Sequence, residues 1–327
     1  MGSNRIEYID NIKGFAILLV VIGHLLDKSL LLENNIFNSM IYSTHMPLFM
    51  YVSGLFAFNK ETSPTIKSFL HFLKRKAIRL LLPYISIGLL YGYLKDYKST
   101  EIYTNMSGYW FFPTLFMCMF IGYILHIAYK KLNKSNYIAL DIVFFAITWL
   151  FFILCYYLKL CNNIPYFLHF LKMFPFFAFG YLSNRYTYIS KIIISNTAYC
   201  ISLIIFIILI LNPINIGFNI NGFFAIIITI KIFQNFNNKI PHIINKFGKN
   251  SLEIYSLHWF LLPNLIFYNK FFTGEYNNYI FHNNEFILIG SITVILAIII
   301  CYSSIIISSI LKLNTTLSFL LFGIKQK

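Results

Sequence analysis

Apolar runs of membrane-spanning length recur along the chain from residue 12 to residue 311, and this pattern limits the fold more than any other feature. A helix crosses the hydrocarbon core of a bilayer with about 20 consecutive, largely apolar residues. Only 11% of the 327 residues are charged and 58% are hydrophobic, whereas a soluble domain carries about 25% charged residues. The sequence therefore predicts an all-α membrane protein and excludes an ordinary soluble domain.

The apolar runs predict about ten transmembrane helices in one polytopic domain that covers residues 1–327. No soluble stretch of domain size separates the runs, so a second domain is not expected. The predicted spans are 12–32, 37–58, 78–95, 108–129, 137–158, 166–184, 192–211, 219–237, 251–272 and 285–311.

The distribution of Lys and Arg predicts that both termini lie in the cytoplasm, because cytoplasmic loops are enriched in these residues. With this orientation five cations lie outside and two within spans, which leaves 19 of the 26 on the inner side. The outer five are Lys28, Lys95, Lys98, Lys159 and Lys270, and the two within spans are Lys172 and Lys231. The net charge of +15 is thus assigned to the inner loops, and no nucleic-acid partner is expected. The five cysteines show no metal-ligand spacing, so no metal site is predicted.

The first span places a cation, Lys13, and a histidine, His24, on one helix. Eleven steps of ~100° bring both side chains onto one face, ~16 Å apart along the axis. They are too far apart for an ion pair, but they can face one cavity that crosses the membrane. Ionisable groups inside a span are costly, so each is a candidate functional residue. Lys13 is also explained as a snorkelling anchor, and His24 as a polar contact between helices.

A second histidine, His45, lies in the next span about as far from the predicted outer end as His24 does in its own. Pro47 removes a backbone hydrogen bond nearby, which leaves a carbonyl able to line a cavity. Ser53 and Gly54 permit a close approach of another helix. The matching depth of the two histidines favours a shared site over two unrelated packing contacts.

A basic segment covers the loop before the third span and the start of that span, and contains Arg75, Lys76 and Arg79. These cations can bind the phosphates of a nucleotide-like donor, although topology alone also explains Lys76. Arg79 is expected to lie deepest, as a buried guanidinium that needs an anionic partner. Further candidates for acceptor binding or structural support are Asp10, Ser53, Trp110, Glu253 and His258. Glu253 and His258 are placed in the inner half of the membrane, and Trp110 is also explained as an interfacial aromatic residue.

Several segments resemble the acyltransferase family 3 integral-membrane proteins. The stretch from Arg5 to His24 is similar to the opening of that family, in which a basic residue precedes a histidine by ten intervening residues. The segment HMPLFMYVSG, at 45–54, resembles its second signature. Weaker matches follow in the same order at 79–84, 110–116, 177–182 and 248–258. Lys13 stands where many members have Arg, and lysine keeps the charge but lacks the bidentate fork of guanidinium.

The resemblance implies transfer of an acyl group, usually acetyl, from cytoplasmic acetyl-CoA to a sugar hydroxyl of a cell-surface or lipid-linked glycan. The closest subgroup in length resembles the fucose O-acetylases and the capsule and exopolysaccharide acetylases. It also implies location in the inner (cytoplasmic) membrane, with acetyl-CoA as a substrate and no bound cofactor. Partners implied are the lipid bilayer, the glycan acceptor, and a second copy of the chain or the polysaccharide synthesis machinery.

Within this interpretation His24 is expected to act as the general base on the acceptor hydroxyl. His45 is expected to orient the acceptor, stabilise the oxyanion or share the base role. Lys13, Arg75, Lys76 and Arg79 are expected to bind the donor. Two other hypotheses fit intramembrane cations and histidines: a transporter for a glycan lipid or a small anion, and a non-catalytic subunit of a polysaccharide assembly complex. The sequence shows no pair of matched halves with broken helices, which a repeat-type transporter would carry.

Overall fold

The protein is described from a computed structural model that covers residues 3–30, 36–58, 66–95, 106–132, 137–161, 163–212, 219–236, 239–263 and 283–324. In these ranges the chain is helical and contains no β-strand. The helices are α1 (Ser3–His24), α2 (Ile36–Leu55), α3 (Ile66–Leu94), α4 (Phe111–Leu132), α5 (Ile138–Tyr157), α6 (Phe167–Arg185), α7 (Thr187–Ile193), α8 (Asn196–Leu211), α9 (Asn221–Asn235), α10 (His242–Lys249), α11 (Ser251–Leu261), α12 (Asn283–Leu311) and α13 (Thr315–Phe322).

Each of the ten predicted spans overlaps at least one helix, although several boundaries differ. Helix α3 begins well before residue 78, because its basic first half continues the same helix into the apolar half. Within the described ranges, five helical segments are long and apolar enough to cross a membrane, and the bent pair α7–α8 raises the number to six if it is counted as one span. These segments are Glu7–Ser29, Lys67–Leu94, Phe111–Ala128, Ile138–Tyr157 and Gly290–Leu311. The number of ten spans stays a prediction. Residues 31–32, 237 and 264–272 of the predicted spans lie outside the described ranges.

Two pairs of helices cross at glycines, and these crossings form the centre of the bundle. A Cβ added at Gly14 of α1 would overlap the carbonyl of Ile244 in α10, and one at Gly248 of α10 would overlap the carbonyl of Asp10. At the α2–α6 crossing, a glycine of each helix likewise contacts the backbone of the other helix. Small residues let two helix backbones approach closely, which drives packing where lipid removes the hydrophobic effect between helices.

The close approach of α2 to α6 confirms the role expected for Gly54. A Cβ at Gly54 would overlap the carbonyl of Phe177, and one at Gly180 would overlap the carbonyl of Tyr51. Helices α5 and α8 lie further out and present large apolar side chains to the surroundings, among them Ile147, Leu150, Ile204 and Ile208. An apolar exterior of this kind suits a lipid environment.

The end of α1 is followed directly by a π-helical turn, Leu25–Ser29. Turns of this type occur mostly as single bulges and often at functional sites. The turn changes the direction of the side chains that follow His24, so that Asp27 faces α2. The beginnings of α2 and α4 and the ends of α3 and α11 meet at this end of the bundle, where they enclose His24.

Candidate functional site

The His24 side chain lies among aromatic rings from α2 and α11. Its imidazole is 4.5 Å from the Trp259 ring and 5.4 Å from the His258 ring, measured between centroids. The two imidazoles are nearly parallel, with 16° between their planes. His258 and Trp259 are 5.6 Å apart, so the three rings form a compact triangle. We call these three residues the ring triangle.

Each member of the ring triangle carries a buried polar atom that has no hydrogen-bond partner among the described residues. These atoms are Nδ1 of His24, Nε2 of His258 and Nε1 of Trp259. Buried polar groups are nearly always hydrogen-bonded, so three such atoms on rings whose centres lie within 5.6 Å of one another indicate a position for a ligand or for water.

The proton position on His258 follows from its neighbours. Its Nδ1 lies 3.1 Å from the carbonyl oxygen of Ile254 and 2.8 Å from that of Tyr255. A carbonyl can only accept, so Nδ1 carries the proton and Nε2 presents a lone pair. The indole Nε1 of Trp259 is a donor only. The ring triangle therefore offers one fixed acceptor, one fixed donor, and the His24 imidazole, whose role depends on its tautomer.

Reciprocal hydrogen bonds fix the Trp259 ring against the segment that precedes α4. The Tyr255 hydroxyl donates to the carbonyl of Gly108 at 3.1 Å, and the Tyr109 hydroxyl donates to the carbonyl of Ser256 at 3.3 Å. Gly108 lies directly against the indole, since a Cβ there would be 2.7 Å from Cε2 of Trp259. The two hydrogen bonds thus hold α11 against this segment, and only glycine fits beside the indole.

His45 is linked to His24 through the ring of Tyr42, which contacts both imidazoles. Tyr42 is 6.4 Å from the His24 ring and 5.1 Å from the His45 ring. The Tyr42 hydroxyl donates to Asp27 in the π-helical turn, and the Asn38 side-chain amide donates to the same carboxylate. His45 donates from Nδ1 to the carbonyl of Ile41, which leaves Nε2 as an acceptor. The two predicted catalytic histidines are therefore in one neighbourhood, joined through Tyr42, while Trp259 and His258 contact His24 directly.

The N-terminal half of α1 carries a polar contact with α10. Lys13 is half-buried and forms an ion pair with the buried Asp10 one turn earlier. Asn245 donates to the side chain of Asn11 at 3.1 Å, beside the Gly248 crossing. Because α1 is helical from Ser3 to His24, the ~16 Å axial separation of Lys13 and His24 applies to the folded chain.

The folded chain joins the segment around Lys13 and His24 to the segment 248–258. The two stretches lie at opposite ends of the sequence, but α10 and α11 run beside α1 from Asp10 to His24. This arrangement corrects the predicted relative depth of His258: the prediction placed it in the opposite half of the membrane from His24, whereas the two rings lie level, 5.4 Å apart. The reason is that Gly248 packs against Asp10 and Gly14, so the segment from Gly248 to His258 runs alongside the segment from Gly14 to His24.

The basic segment at the start of α3 is largely solvent-exposed. Arg75 and Arg79 are exposed, and the Lys76 ammonium lies 5.4 Å from the centre of the Phe72 ring. The expectation of a buried Arg79 paired with an anion is wrong. Its guanidinium donates to the carbonyl of Phe322 at 3.4 Å, because the end of α13 packs against this part of α3.

The remaining predicted residues have mainly structural contacts. Glu253 is buried and pairs with Lys312 at 2.6 Å, which ties α11 to the end of α12. Trp110 stacks on His169 with 4.5 Å between ring centres, at the beginning of α6. Ser53 is half-buried beside Gly54 at the α2–α6 crossing. In the described ranges, His, Cys, Asp and Glu side chains do not cluster in a way that could hold a metal ion.

An apolar cavity of about 1160 Å³ lies on the opposite side of α1 from the ring triangle. Phe15 and Leu19 of α1 line it, together with side chains of α2, α8, α9 and α12. Nine helical steps of ~100° separate Phe15 from His24, which places them on opposite faces. The cavity is therefore not the space in which His24 can do chemistry.

The fold and the site define an all-helical membrane protein with a half-buried imidazole that faces unpartnered donor and acceptor atoms. This combination suits acyl transfer, which needs a general base and a hydrogen-bond donor to the carbonyl oxygen of the acyl group. The chain belongs to acyltransferase family 3, because the family model described as an acyltransferase domain matches residues 6–307. Neither the comparison with curated proteins nor that with solved structures gives a match. The match is to the family as a whole, so the fucose O-acetylase-like subgroup stays a prediction.

Sequence reasoning missed Trp259, Tyr42 and Asp27. Trp259 follows His258 directly and could have been found by asking which aromatic residue neighbours a candidate imidazole. Tyr42 is three residues before His45, at the spacing that places two side chains on one helix face. Asp27 carries no such signal, because its direction depends on the π-helical turn, which the apolar pattern does not encode.

Proposed function

We propose that the protein is a membrane O-acyltransferase that moves an acetyl group from cytoplasmic acetyl-CoA to a sugar hydroxyl of a cell-surface polysaccharide or its lipid-linked precursor. The observation that carries the proposal is the ring triangle, in which the imidazole of His24 meets buried, unpartnered polar atoms within a family 3 acyltransferase chain. The donor, the acceptor and the inner membrane as location are parts of this proposal.

The donor is proposed to enter from the side of Lys13. The separation of ~16 Å between Lys13 and His24 compares with ~15–20 Å for an extended pantetheine arm with bond geometry like that of a peptide chain. Phosphate groups near Lys13 would then place the thioester level with His24. Arg75 and Arg79 are solvent-exposed cations, and Lys76 is partly exposed, which suits an anion that arrives from solution.

His24 is the proposed general base. It removes the proton from the acceptor hydroxyl while that oxygen forms a bond to the thioester carbonyl carbon, and the carbonyl oxygen becomes negatively charged. The tetrahedral intermediate then breaks its carbon–sulfur bond, and the imidazolium returns the proton to the departing thiolate of coenzyme A. His45 has a hydrogen-bond-accepting Nε2 and lies against Tyr42. We propose that this Nε2 orients the hydroxyl of the sugar that receives the acetyl group.

The test replaces His24 with Ala and measures transfer of labelled acetyl from acetyl-CoA to glycan in membranes that contain folded protein. Loss of a general base lowers the rate by about 10²- to 10⁴-fold, and His242→Ala is the matched control because His242 is exposed at the start of α10. Undiminished transfer by His24→Ala would contradict the proposal. Glycan movement without covalent acetyl label would instead support a transporter.

A further inference from the structure

We propose that Trp259 is a catalytic residue whose indole Nε1–H donates a hydrogen bond to the carbonyl oxygen of the acyl group as it becomes an oxyanion. The inference rests on the proposed acyl transfer and adds to it a specific donor. It also moves the oxyanion role, one of three suggested for His45, to a residue whose ring lies 4.5 Å from the His24 ring.

The environment of the indole N–H distinguishes Trp259 from another tryptophan of the chain. Nε1 of Trp149 donates to the carbonyl of Leu171 at 2.9 Å. Nε1 of Trp259 is buried, and the described residues offer it no acceptor. Buried N–H groups are nearly always paired, so the Trp259 donor is arranged for a partner that the chain itself does not supply.

The chemistry of the ring triangle selects the acyl carbonyl oxygen as that partner. The acceptor hydroxyl has one proton to give, and His24 receives it. His258 presents the lone pair of Nε2, because its Nδ1 donates to the carbonyls of Ile254 and Tyr255. A lone pair repels an oxyanion, so Trp259 is the one obligatory donor of the three buried atoms.

The position of the indole is fixed before any substrate binds. Gly108 lies against its face, and the hydrogen bonds of Tyr255 and Tyr109 join α11 to the segment before α4. A donor that is already oriented stabilises developing charge without reorganisation, which is the property that makes oxyanion donors effective.

In the reaction, the acceptor oxygen bonds to the carbonyl carbon as its proton passes to His24, and the C=O electron pair moves onto oxygen. Trp259 Nε1–H then donates to that oxygen. When the carbonyl re-forms, the carbon–sulfur bond breaks and the coenzyme A thiolate takes the proton from His24. Trp259 remains unchanged through the cycle, so it lowers the activation barrier and does not alter the overall equilibrium of the reaction.

The experiment compares Trp259→Phe with Trp149→Phe in purified protein reconstituted in lipid, using labelled acetyl-CoA and the membrane glycan fraction of the producing cells. Removing one oxyanion donor lowers kcat by about 10²- to 10³-fold, while the KM values for acetyl-CoA and glycan stay at the wild-type level. Trp149→Phe retains wild-type kcat, because its N–H serves only a structural contact. Thermal unfolding in detergent checks that both variants are folded.

If Trp259→Phe does not fold, replacement of Trp259 by 3-benzothienylalanine keeps the bicyclic ring and exchanges only the N–H for sulfur. If a folded Trp259 variant keeps the wild-type kcat, the inference is wrong. The indole N–H would then serve only to bind a buried water. A raised KM for glycan with unchanged kcat also overturns it, because the donor would then bind the acceptor in the ground state. His24→Ala, measured in parallel, separates the two proposals: if it abolishes transfer while Trp259→Phe does not, only the assignment of Trp259 fails.

Discussion

At the scale of single residues, the ion pair of Asp141 and Arg185 has a structural role, because it joins the start of α5 to the end of α6. Asp141 is fully buried in the first turn of α5, and Arg185 Nε lies 2.8 Å from its carboxylate. The Tyr186 hydroxyl donates to the same carboxylate at 2.6 Å. The group lies at the end of α6 that is remote from His169 and Trp110. A buried charge is tolerated here because both the cation and a hydroxyl compensate it.

We expect Asp141→Asn to destabilise the protein by about 3–5 kcal/mol, because removal of one partner leaves the guanidinium uncompensated. Thermal unfolding in detergent measures the effect, and Lys191→Gln, an exposed cation of α7, serves as the control. The double variant Asp141→Asn/Arg185→Gln should recover part of the loss. Unchanged stability of Asp141→Asn would show that the pair contributes nothing. Acetyl transfer per folded molecule should stay at the wild-type level.

At the scale of helices, the apolar runs predict where helices lie but not where they break or how they cross. The pattern places helices at all ten predicted positions, since burial in lipid needs only a long apolar stretch. It does not show the break at Asn250 or the π-helical turn after His24, because both depend on local backbone contacts. The candidate site was predictable only in part for this reason: His24 and His45 follow from their depth, whereas the partnership with His258 needs the broken α10–α11 segment.

The α1–α10 crossing leads to a prediction about two glycines. We expect Gly248→Ala to lower stability by about 1–3 kcal/mol through overpacking, because its methyl group would overlap the backbone of Asp10. Activity should also fall, since α11 carries His258 and Trp259. The matched control is Gly290→Ala on α12, where a Cβ meets no atom within 4 Å. A helix-interior alanine is favoured over glycine by about 1 kcal/mol, so Gly290→Ala should unfold at the same temperature or higher. Equal unfolding temperatures for the two variants would contradict the role of the crossing.

At the scale of the whole molecule, the arrangement separates a basic end from an aromatic, histidine-containing end, and the predicted topology makes the basic end the inner one. Lys13, Arg75 and Arg79 belong to the first, and the ring triangle belongs to the second. The sequence predicts the charge asymmetry because positive residues are retained on the cytoplasmic side. It cannot predict that segments from the two ends of the chain share one site, because that contact comes from the glycine crossing of α1 and α10. The proposed reaction requires this sidedness, since acetyl-CoA is cytoplasmic and the glycan is accepted further out.

The sidedness is tested by single cysteines in a background where the five native cysteines are replaced by alanine. Lys159 and Lys191 are both exposed, and the predicted topology places Lys159 outside and Lys191 inside. In intact cells, a membrane-impermeant maleimide should label Lys159→Cys but not Lys191→Cys, whereas permeabilised cells should show labelling of both. The physical reason is that α5 and α6 meet outside while α6 and α7 meet inside if the N-terminus is cytoplasmic. The reverse pattern would place the Lys13 end of α1 outside, which would separate the proposed donor site from cytoplasmic acetyl-CoA and exclude the proposed direction of transfer.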